Sequence, residues 1–338
     1  MKNRQAGNGV IADNGINGSL RKREVQSLSP YTEHYLFNSA ANLKAYSNSG
    51  LYFAYYGYDA ANTRTYKLSM LNQTQWVNGQ PQPLQLQLQS AMFYPNAYLT
   101  FNQNGNYTKH YYNGSERICS RLGDRTFSLD CSASLTPQTQ QRLGIRIMQV
   151  DQDFRAELLE LVEAGDVPVE FPNVLNLVTL LPAGSNANSH SHSNPNTDIF
   201  YYHTNHLGST AYVTDNNATI TQGFLYAPFG EITTEYAPMW QNGLIPNYTF
   251  NAKELDEETG MYYYEARYYK PPVFTSRDPH FERYPTFSPY IYCNNNPIKY
   301  IDLTGKDGIL IIFPNYMVDT ETRLGKQPLG HAGVLGRS

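Results

Sequence analysis

The chain has 338 residues, of which 41% are hydrophobic and only 16% are charged, and its formal net charge is -4. This composition supplies enough apolar side chains for a large core and lacks the high charge of disordered chains. A near-neutral balance also gives no electrostatic basis for binding nucleic acid or an anionic membrane. We therefore predict a folded protein of one large or two ordinary domains, without a nucleic-acid partner.

The most unusual feature of the composition is its 29 tyrosines, together with 24 glycines and 20 prolines. Tyrosine favours strands, where it pairs with side chains on neighbouring strands and tolerates a half-wet surface. Glycine and proline favour tight turns. Many short strands are therefore expected, and an ordinary tyrosine-rich sandwich is the alternative that the composition leaves open.

The three cysteines, Cys119, Cys131 and Cys293, are too few and too odd in number for a disulfide framework. Cys119 and Cys131 are candidates for one disulfide, and buried free thiols are the alternative. The cysteines therefore leave the redox compartment of the protein open.

Between residues 50 and 130, β-prone runs alternate with turns rich in asparagine and glycine, at intervals of about ten residues. The β-prone runs are Leu51–Tyr58, Thr63–Leu68, Ala97–Phe101 and Tyr107–Tyr112. This alternation predicts successive hairpins. The repeat is too degenerate to require a solenoid from its periodicity alone.

A different pattern predicts one helix near residues 137–164. Thr136 is a suitable N-cap, Pro137 a suitable first helical residue and Gly165 a suitable stop. The apolar residues that fall on one helical face are Leu143, Ile147, Val150, Phe154, Leu158 and Leu161. We expect this face to pack on the sheet and to carry no chemistry. Residues 183–198, rich in serine and asparagine, then predict a low-complexity loop.

Four histidines lie close together in the sequence, at His190, His192, His203 and His206. Spacings of this kind occur in zinc sites. However, the first two lie in the predicted loop, and no cysteine or carboxylate joins the four at a recognisable spacing. We therefore predict neither a metal site nor a cofactor.

From Ile199 onward, five segments resemble, in order, the motifs of the Rhs repeat-associated core of Rhs/YD-repeat proteins. They are Tyr201–Thr210, similar to YYHxDHLGST; Tyr226–Glu231, similar to YDPFGE; Phe250–Tyr269, similar to FxGKExDxETGLYYYGARYY; Phe274–Pro279, similar to FISRDP; and Ser288–Asp302, similar to SPYxYCxNNPIxYxD. Asn205 and Ala227 replace aspartates that are usual in the first two motifs. Upstream, Tyr56–Asp59 and Tyr107–Ile118 resemble YD-type repeats.

The resemblance implies a mainly β fold, in which YD repeats form an antiparallel β-sheet spiral that is part of a hollow shell. Residues 1–30 are then a polar, poorly ordered stretch, and residues 31–198 are a repeat-like region with the inserted helix and loop. Residues 199–306 are the core that closes the C-terminal end of the shell. Residues 307–338 are the start of a variable, toxic domain that we expect to be truncated, because an apolar pattern begins there without a closing element. His331 is a candidate functional residue of that domain.

The implied function is structural. The shell of a polymorphic toxin encapsulates and presents a variable C-terminal effector in contact-dependent competition between bacteria. The implied partners are the chain's own effector domain, the upstream YD repeats, an immunity protein and the secretion machinery. The resemblance also implies secretion or display at a bacterial cell surface, although Met1–Val25 lacks a signal-peptide core and no apolar run is long enough to span a bilayer. A carbohydrate-binding surface module is a further alternative, against which the core motifs argue.

An enzymatic function is the main alternative, because the core segment in this family can be an intramolecular aspartyl protease that cuts off the C-terminal domain. Positions that match the family's motifs make Asp278 and Asp302 the candidate carboxylates, and Arg277 the residue that orients them or favours their charge. Two close carboxylates share a proton, so that one activates water while the other protonates the departing amine. The cut would fall between Lys306 and Asp307.

Two departures from the family pattern weaken this alternative. The family's DPxGL motif corresponds to Asp302–Lys306, with Leu303 in place of proline and Lys306 in place of the final leucine. Leu303 frees a backbone angle that proline would fix, and the ammonium group of Lys306 favours ionising both carboxylates. The structural alternative is that Asp278 and Asp302 simply cap turns. We therefore expect the chain to stay largely intact.

Overall fold

A computed structural model defines the fold of the chain. It describes residues 10–14, 18–26, 29–48, 52–72, 76–77, 80–81, 84–102, 106–114, 116–123, 169–170, 199–236, 247–306, 308–310, 317–318 and 327–328. The predicted helix at 137–164 and the predicted loop at 183–198 lie outside these residues, as do Cys131, Asp307 and His331.

The described residues form mainly β-strands. The strands are β1 (Val10–Asn14), β2 (Leu20–Val25), β3 (Tyr31–Phe37), β4 (Leu43–Asn48), β5 (Tyr52–Tyr58), β6 (Arg64–Asn72), β7 (Trp76–Val77), β8 (Gln80–Pro81), β9 (Leu84–Asn96), β10 (Leu99–Asn102), β11 (Tyr107–Asn113), β12 (Glu116–Gly123), β13 (Val169–Glu170), β14 (Ile199–Thr204), β15 (Thr210–Thr214), β16 (Ile220–Tyr226), β17 (Ile232–Tyr236), β18 (Glu254–Asp256), β19 (Met261–Tyr263), β20 (Tyr268–Lys270), β21 (Val273–Phe274), β22 (Tyr300–Asp302), β23 (Gly308–Leu310), β24 (Met317–Val318) and β25 (Gln327–Pro328). Short 3-10 turns lie at Phe250–Ala252, Phe281–Arg283 and Cys293–Asn295. In this described part of the chain, no helix is long and apolar enough to cross a membrane.

Most of these strands belong to one sheet, here called the large sheet, in which neighbours in sequence are mostly neighbours in space. Fourteen of its 15 strands follow the antiparallel path β1-β2-β3-β4-β5-β6-β9-β10-β11-β12-β14-β15-β16-β17, and the short β13 pairs in parallel with β9. Most connections along this path are short hairpin turns, which is the topology that sequence-adjacent strands favour. The predicted antiparallel β architecture is confirmed. The expectation that residues 1–30 are poorly ordered is not met at β1 and β2, because these strands pair with each other and β2 pairs with β3.

Several hairpin turns of the large sheet share one device, a short polar side chain at the first turn position. The carboxylate of Asp59 accepts the backbone N–H groups of Ala61 and Thr63, at 2.9 and 2.8 Å. The same arrangement recurs at Asn38, Asn205 and Asp215. Aspartate and asparagine suit such turns because their side chains reach the backbone two residues further on. The turn residues of the sequence therefore mark the hairpins directly.

A second, four-stranded sheet, here called the core sheet, has the order β18-β19-β20-β21. Its tyrosines alternate as expected for a strand, because Tyr262 and Tyr264 are buried whereas Tyr263 is only partly buried. The core sheet packs on the large sheet through one cluster of buried side chains that includes Tyr35, Tyr46, Tyr56, Met261 and Tyr268. Tyrosine thus supplies the core of this interface.

Buried charges also join the two sheets. Arg64 and Lys67 of β6 face Glu254 and Asp256 of β18 and Glu258 in the turn after it, and these five residues are called the docking cluster. Arg64 Nη2 lies 2.5 Å from Glu254 Oε2, while Lys67 Nζ lies 2.9 Å from Asp256 Oδ1 and 3.0 Å from Glu258 Oε1. Burial opposes the charge of Asp256, but Lys67 and Arg64 outweigh it and lower the pKa of that carboxyl. Asp256 is therefore held ionised inside the protein.

A second buried carboxylate makes an equivalent contact elsewhere on the interface. Glu33 of β3 pairs with Arg23 of β2 at 2.8 Å and with Lys270 of β20. The hydroxyls of Tyr35 and Tyr46 each donate to the same carboxylate at 2.9 Å. Burial opposes the charge of Glu33, but Lys270 and Arg23 lower its pKa on balance. The core sheet is thus fixed to the large sheet by two separate groups of paired charges.

Asp256→Ala is expected to lower the free energy of unfolding by about 3–5 kcal/mol, because it leaves Lys67 and Arg64 buried with too few carboxylate partners. Urea unfolding measures the change. The matched control is Glu265→Gln, since the Glu265 carboxylate pairs with Lys253 but is 59% exposed. Its removal is expected to change the stability by less than about 1 kcal/mol. Equal losses in the two variants would contradict a dominant role for the docking cluster.

Candidate functional site at the end of the core

The first part of the candidate site is the turn after β22, which Asp302 organises. Its Oδ1 atom accepts the backbone N–H groups of Thr304, Gly305 and Lys306, at 3.1, 2.7 and 3.3 Å. Asp302 is only 2% exposed, so this turn is anchored within the protein. Residues 302–306 are called the exit segment, because the predicted effector domain follows them in the sequence. The strand β23 that comes after this turn pairs antiparallel with β22.

Asp278 organises a second turn, in the Phe274–Pro279 motif. Its Oδ1 atom accepts the backbone N–H of His280 at 2.6 Å. Its backbone carbonyl accepts the N–H of Phe281 at 3.2 Å. Each of the two candidate carboxylates therefore uses one oxygen to cap a turn, which is the arrangement described by the structural alternative. The second oxygen of each carboxylate contacts one partner that the two share.

That common partner is Arg267. Its Nη2 atom lies 2.9 Å from Asp278 Oδ2 and 3.5 Å from Asp302 Oδ2. Nε donates to the carbonyl oxygen of Gly305 at 2.5 Å, and Nη1 donates to the carbonyl oxygen of Pro289 at 3.1 Å. The guanidinium therefore connects both aspartates and the backbone of the exit segment.

These groups lie at one pocket of about 140 Å³. Its polar lining includes Arg267, Asp278, Asp302 and Lys306, and its apolar lining includes Phe281, Tyr284, Phe287, Pro289 and Ile291. Burial raises the pKa of Asp302, although Arg267 and the three N–H donors oppose the shift. Burial also raises the pKa of Cys293, in the same pocket, to about 12. That thiol is therefore protonated near neutral pH and is not a nucleophile.

The chemistry of this arrangement depends on where the protons lie. Two carboxylates act as an acid–base pair only when one of them carries a proton. The charge of Arg267 stabilises the ionised form of both, whereas burial of Asp302 favours its protonated form. The geometry therefore supplies two carboxylates in unequal environments beside the backbone of Gly305, held by a cation that opposes proton sharing.

The arginine at the carboxylates is Arg267 and not the predicted Arg277. Arg277 is exposed, and its Cζ atom lies 4.1 Å from the centre of the Phe281 ring. Arg267 was not selected, although it lies in the matched Phe250–Tyr269 motif. Its sequence context carried a usable signal, because it is the only cation in the tyrosine-rich run Met261–Tyr269. A charge that is buried with such a run needs partners.

The structure describes some of the remaining predicted residues and not others. Lys306 is exposed, and its predicted cleavage partner Asp307 lies outside the described residues. The ring of His203 stacks on Tyr212 at 4.3 Å, and its Nε2 lies 3.0 Å from the hydroxyl of Thr214. Within the part of the chain that the structure describes, no group of three or more His, Cys, Asp or Glu side chains could hold a metal ion.

Comparison with known proteins finds similarity to short stretches of much longer chains. Over 116 residues the chain is 34% identical to "Salivary gland surface protein 1" of Aedes aegypti, and this stretch is 33% of this chain and 3% of that protein. Over 149 residues it is 28% identical to "tRNA(Glu)-specific nuclease WapA" of Bacillus subtilis subsp. natto, which covers 40% of this chain and 6% of that protein. The chain therefore spans a small fraction of these curated relatives. No family profile matches the sequence.

Among solved structures, the crystal structure of TcdB2-TccC3-TEV is similar to this fold. The TM-score is 0.48 at 15% sequence identity, over 88% of this chain and 13% of that chain. The sequence matches to WapA proteins support the resemblance to Rhs-like, toxin-related proteins over part of the chain.

The exit segment is expected to tolerate no side chain at Gly305. A Cβ there would lie 2.6 Å from the carbonyl oxygen of Tyr264, and the backbone φ is +70°. Gly114 is the matched control, because its φ is +62° but nothing lies within 4 Å of a Cβ. Gly114→Ala should lower the free energy of unfolding by about 1–2 kcal/mol from backbone strain alone. Gly305→Ala should lower it by clearly more in the same urea experiment, and equal losses would contradict the close packing of the exit segment.

Proposed function

We propose that this chain is the C-terminal part of the shell of an Rhs-type polymorphic toxin, and that it encapsulates and presents a variable C-terminal effector. In this proposal the large sheet is part of the shell wall, and residues 247–306 close its end. The partners are the effector, the upstream repeats, an immunity protein and the secretion machinery of a bacterium that exports the toxin. The similarity to WapA proteins supports the toxin context.

The observation that carries this proposal is the firm docking of the core sheet on the large sheet. The docking cluster joins β6 to β18, and Glu33 joins β3 to Lys270 on β20. The same interface contains a cluster of buried side chains, among them Tyr35, Tyr46, Tyr56 and Tyr268. A segment held by two groups of buried charges suits a closure that retains the polypeptide following it.

In the natural full-length protein, we expect the polypeptide after residue 306 to resist added proteinase K while the shell is closed. Asp256→Ala should accelerate its degradation by about tenfold or more, because proteolysis of a transiently opened state follows the population of that state. Mass spectrometry of the fragments measures both rates. The surface variant Glu265→Gln serves as the control and should leave the rate unchanged. Degradation in the native protein as fast as in urea-unfolded protein would contradict encapsulation.

A self-processing aspartyl protease is the second candidate function. The observation that favours it is that the Oδ2 atoms of Asp278 and Asp302 both lie within 3.5 Å of one nitrogen of Arg267, beside the exit segment. One carboxylate would take a proton from water as the oxygen attacks the Lys306 carbonyl carbon. The other would protonate the departing amine of Asp307, so that one water is added across the broken peptide bond. The charge of Arg267 opposes the proton sharing that this step requires.

The freshly purified chain is therefore expected to show one dominant intact mass that includes residues 307–338. This expectation follows from Leu303 and Lys306 in the sequence and from the paired state of both carboxylates. A dominant species ending at Lys306, which disappears in Asp278→Asn and in Asp302→Asn, would instead establish self-cleavage. Each asparagine keeps the shape of the side chain while removing its ability to exchange the proton.

A further inference from the structure

We propose that Arg267 is the positioning residue of the exit segment, which it holds in the arrangement that places Lys306, the residue before the predicted cut, at the pocket. The inference deepens the proposed function, because it assumes that the chain passes from the core to the effector through residues 302–306. The inference does not depend on whether the bond between Lys306 and Asp307 is cut by the chain's own carboxylates, by another protease or not at all.

The contacts of Arg267 divide between two parts of the chain. Nε and Nη2 contact the exit segment, through the carbonyl oxygen of Gly305 at 2.5 Å and Asp302 Oδ2 at 3.5 Å. Nη1 and the same Nη2 contact the opposite wall, through the carbonyl oxygen of Pro289 at 3.1 Å and Asp278 Oδ2 at 2.9 Å. A planar guanidinium presents its donors in a fixed fork, whereas an ammonium group has one nitrogen at the end of a flexible chain. Lysine therefore cannot reproduce this set of contacts.

The guanidinium of Arg267 is itself held in place by the ring of Phe274. Arg267 is 3% exposed, and its Cζ atom lies 3.6 Å from the centre of the Phe274 ring. Hydrogen bonds in such a dry environment are stronger than the same bonds in water. The position of Arg267 is thus set by the core sheet, and it transmits that position to the exit segment.

The backbone of the exit segment fits closely against the same strand connection. The Ala266 N–H donates to the carbonyl oxygen of Thr304 at 3.1 Å. A Cβ on Gly305 would lie 3.2 Å from the backbone nitrogen of Arg267. The exit segment therefore depends on two local features, the guanidinium of Arg267 and the small size of Gly305, and each can be changed separately.

Removal of the guanidinium would also leave Asp302 buried without its cation. Burial already raises the pKa of this carboxyl, and Arg267 is the first of the groups that oppose the shift. Without the guanidinium, the partners that remain for this carboxylate among the described residues are backbone N–H groups, of which that of Lys306 makes the longest contact, at 3.3 Å. The turn is then expected to open from its Lys306 end.

Trypsin gives a local readout of this opening, because it cuts after lysine where the backbone can unfold locally. Lys306 and Lys299 are both exposed, and they lie only seven residues apart. Arg267→Lys should increase the rate of cutting after Lys306, relative to Lys299, by about tenfold, since the hydrogen bond from the guanidinium Nε to the carbonyl oxygen of Gly305 is lost. Arg283→Lys, at an exposed arginine of the neighbouring 3-10 turn, is the matched control and should leave the ratio unchanged.

A general loss of stability is distinguished from loss of positioning by the same ratio. Asp256→Ala destabilises the whole interface and should increase cutting at both lysines together. Gly305→Ala disturbs the exit segment without altering Arg267, so it is the positive control and should raise the ratio. Asp302→Asn keeps the Oδ1 acceptor of the turn but removes the charge that contacts Arg267 Nη2, so it should also raise the ratio, and it tests the proposal if Arg267→Lys does not fold. An unchanged ratio in the folded variants would overturn the proposal.

The proposed functions and the positioning role of Arg267 are tested by different measurements. The intact mass of the wild-type chain tests self-cleavage, and protease resistance of the full-length protein tests encapsulation, whereas neither enters the ratio of Lys306 to Lys299 cutting. If the wild-type chain does cut itself after Lys306, its self-cleavage rate becomes the readout. Arg267→Lys must then lower that rate by about tenfold or more, and an unchanged rate would overturn the positioning role.

Discussion

Charges buried between the large sheet and the core sheet restrict how the two sheets can fit together. Arg64 and Lys67 are turned inward from β6, where neither could remain without carboxylates close by. A buried ion that loses its partner destabilises a protein by several kcal/mol. Asp256 supplies the required charge at 0% exposure, and Arg64 also lies 4.3 and 4.2 Å from the ring centres of Tyr94 and Tyr263. Docking positions that separate these groups are therefore excluded, which makes the interface specific as well as stable.

The candidate site depends on this docking, although it lies on the other side of the core sheet. Strands β19 and β20 carry tyrosines to both faces, so that one set packs on the large sheet and the other forms a second aromatic cluster. Tyr264, Tyr269, Phe274 and Tyr292 belong to that second cluster. Arg267 lies in the connection between the two strands, and Phe274 supports its guanidinium. The position of the aspartate pair thus follows from the placement of the core sheet.

The sequence was informative wherever structure depends on neighbouring residues. The turns at Asp59 and Asp215, the alternation of Tyr262 and Tyr263, and the mainly antiparallel fold all follow from local patterns. Contacts between distant residues could not be predicted from the sequence, because the pattern of one strand does not indicate which other strand packs against it. Lys67 and Asp256 are separated by 189 positions, and nothing in either local sequence identifies the other.

The candidate site shows the same limit. The matched motif positions predicted Asp278 and Asp302 as the two carboxylates, and the structure places both at one pocket. Arg277 was predicted to be their partner because it lies in the same matched motif as Asp278, but Arg277 is exposed whereas Asp278 contacts Arg267. The turn-capping and charge-pairing roles of the aspartates were treated as alternatives. Each carboxylate has two oxygens, and the structure uses one oxygen for each role.

The most direct measurement is a double-mutant cycle between Lys67 and Asp256, with Lys67→Met, Asp256→Asn and the double variant compared by urea unfolding. If these buried charges hold the core sheet in place, each single change should destabilise the protein strongly, and the double variant should lose less than the sum. The expected coupling energy is about 1.5–3 kcal/mol. A coupling energy near zero, with strictly additive losses, would show that the tyrosine layer alone fixes the core sheet to the large sheet.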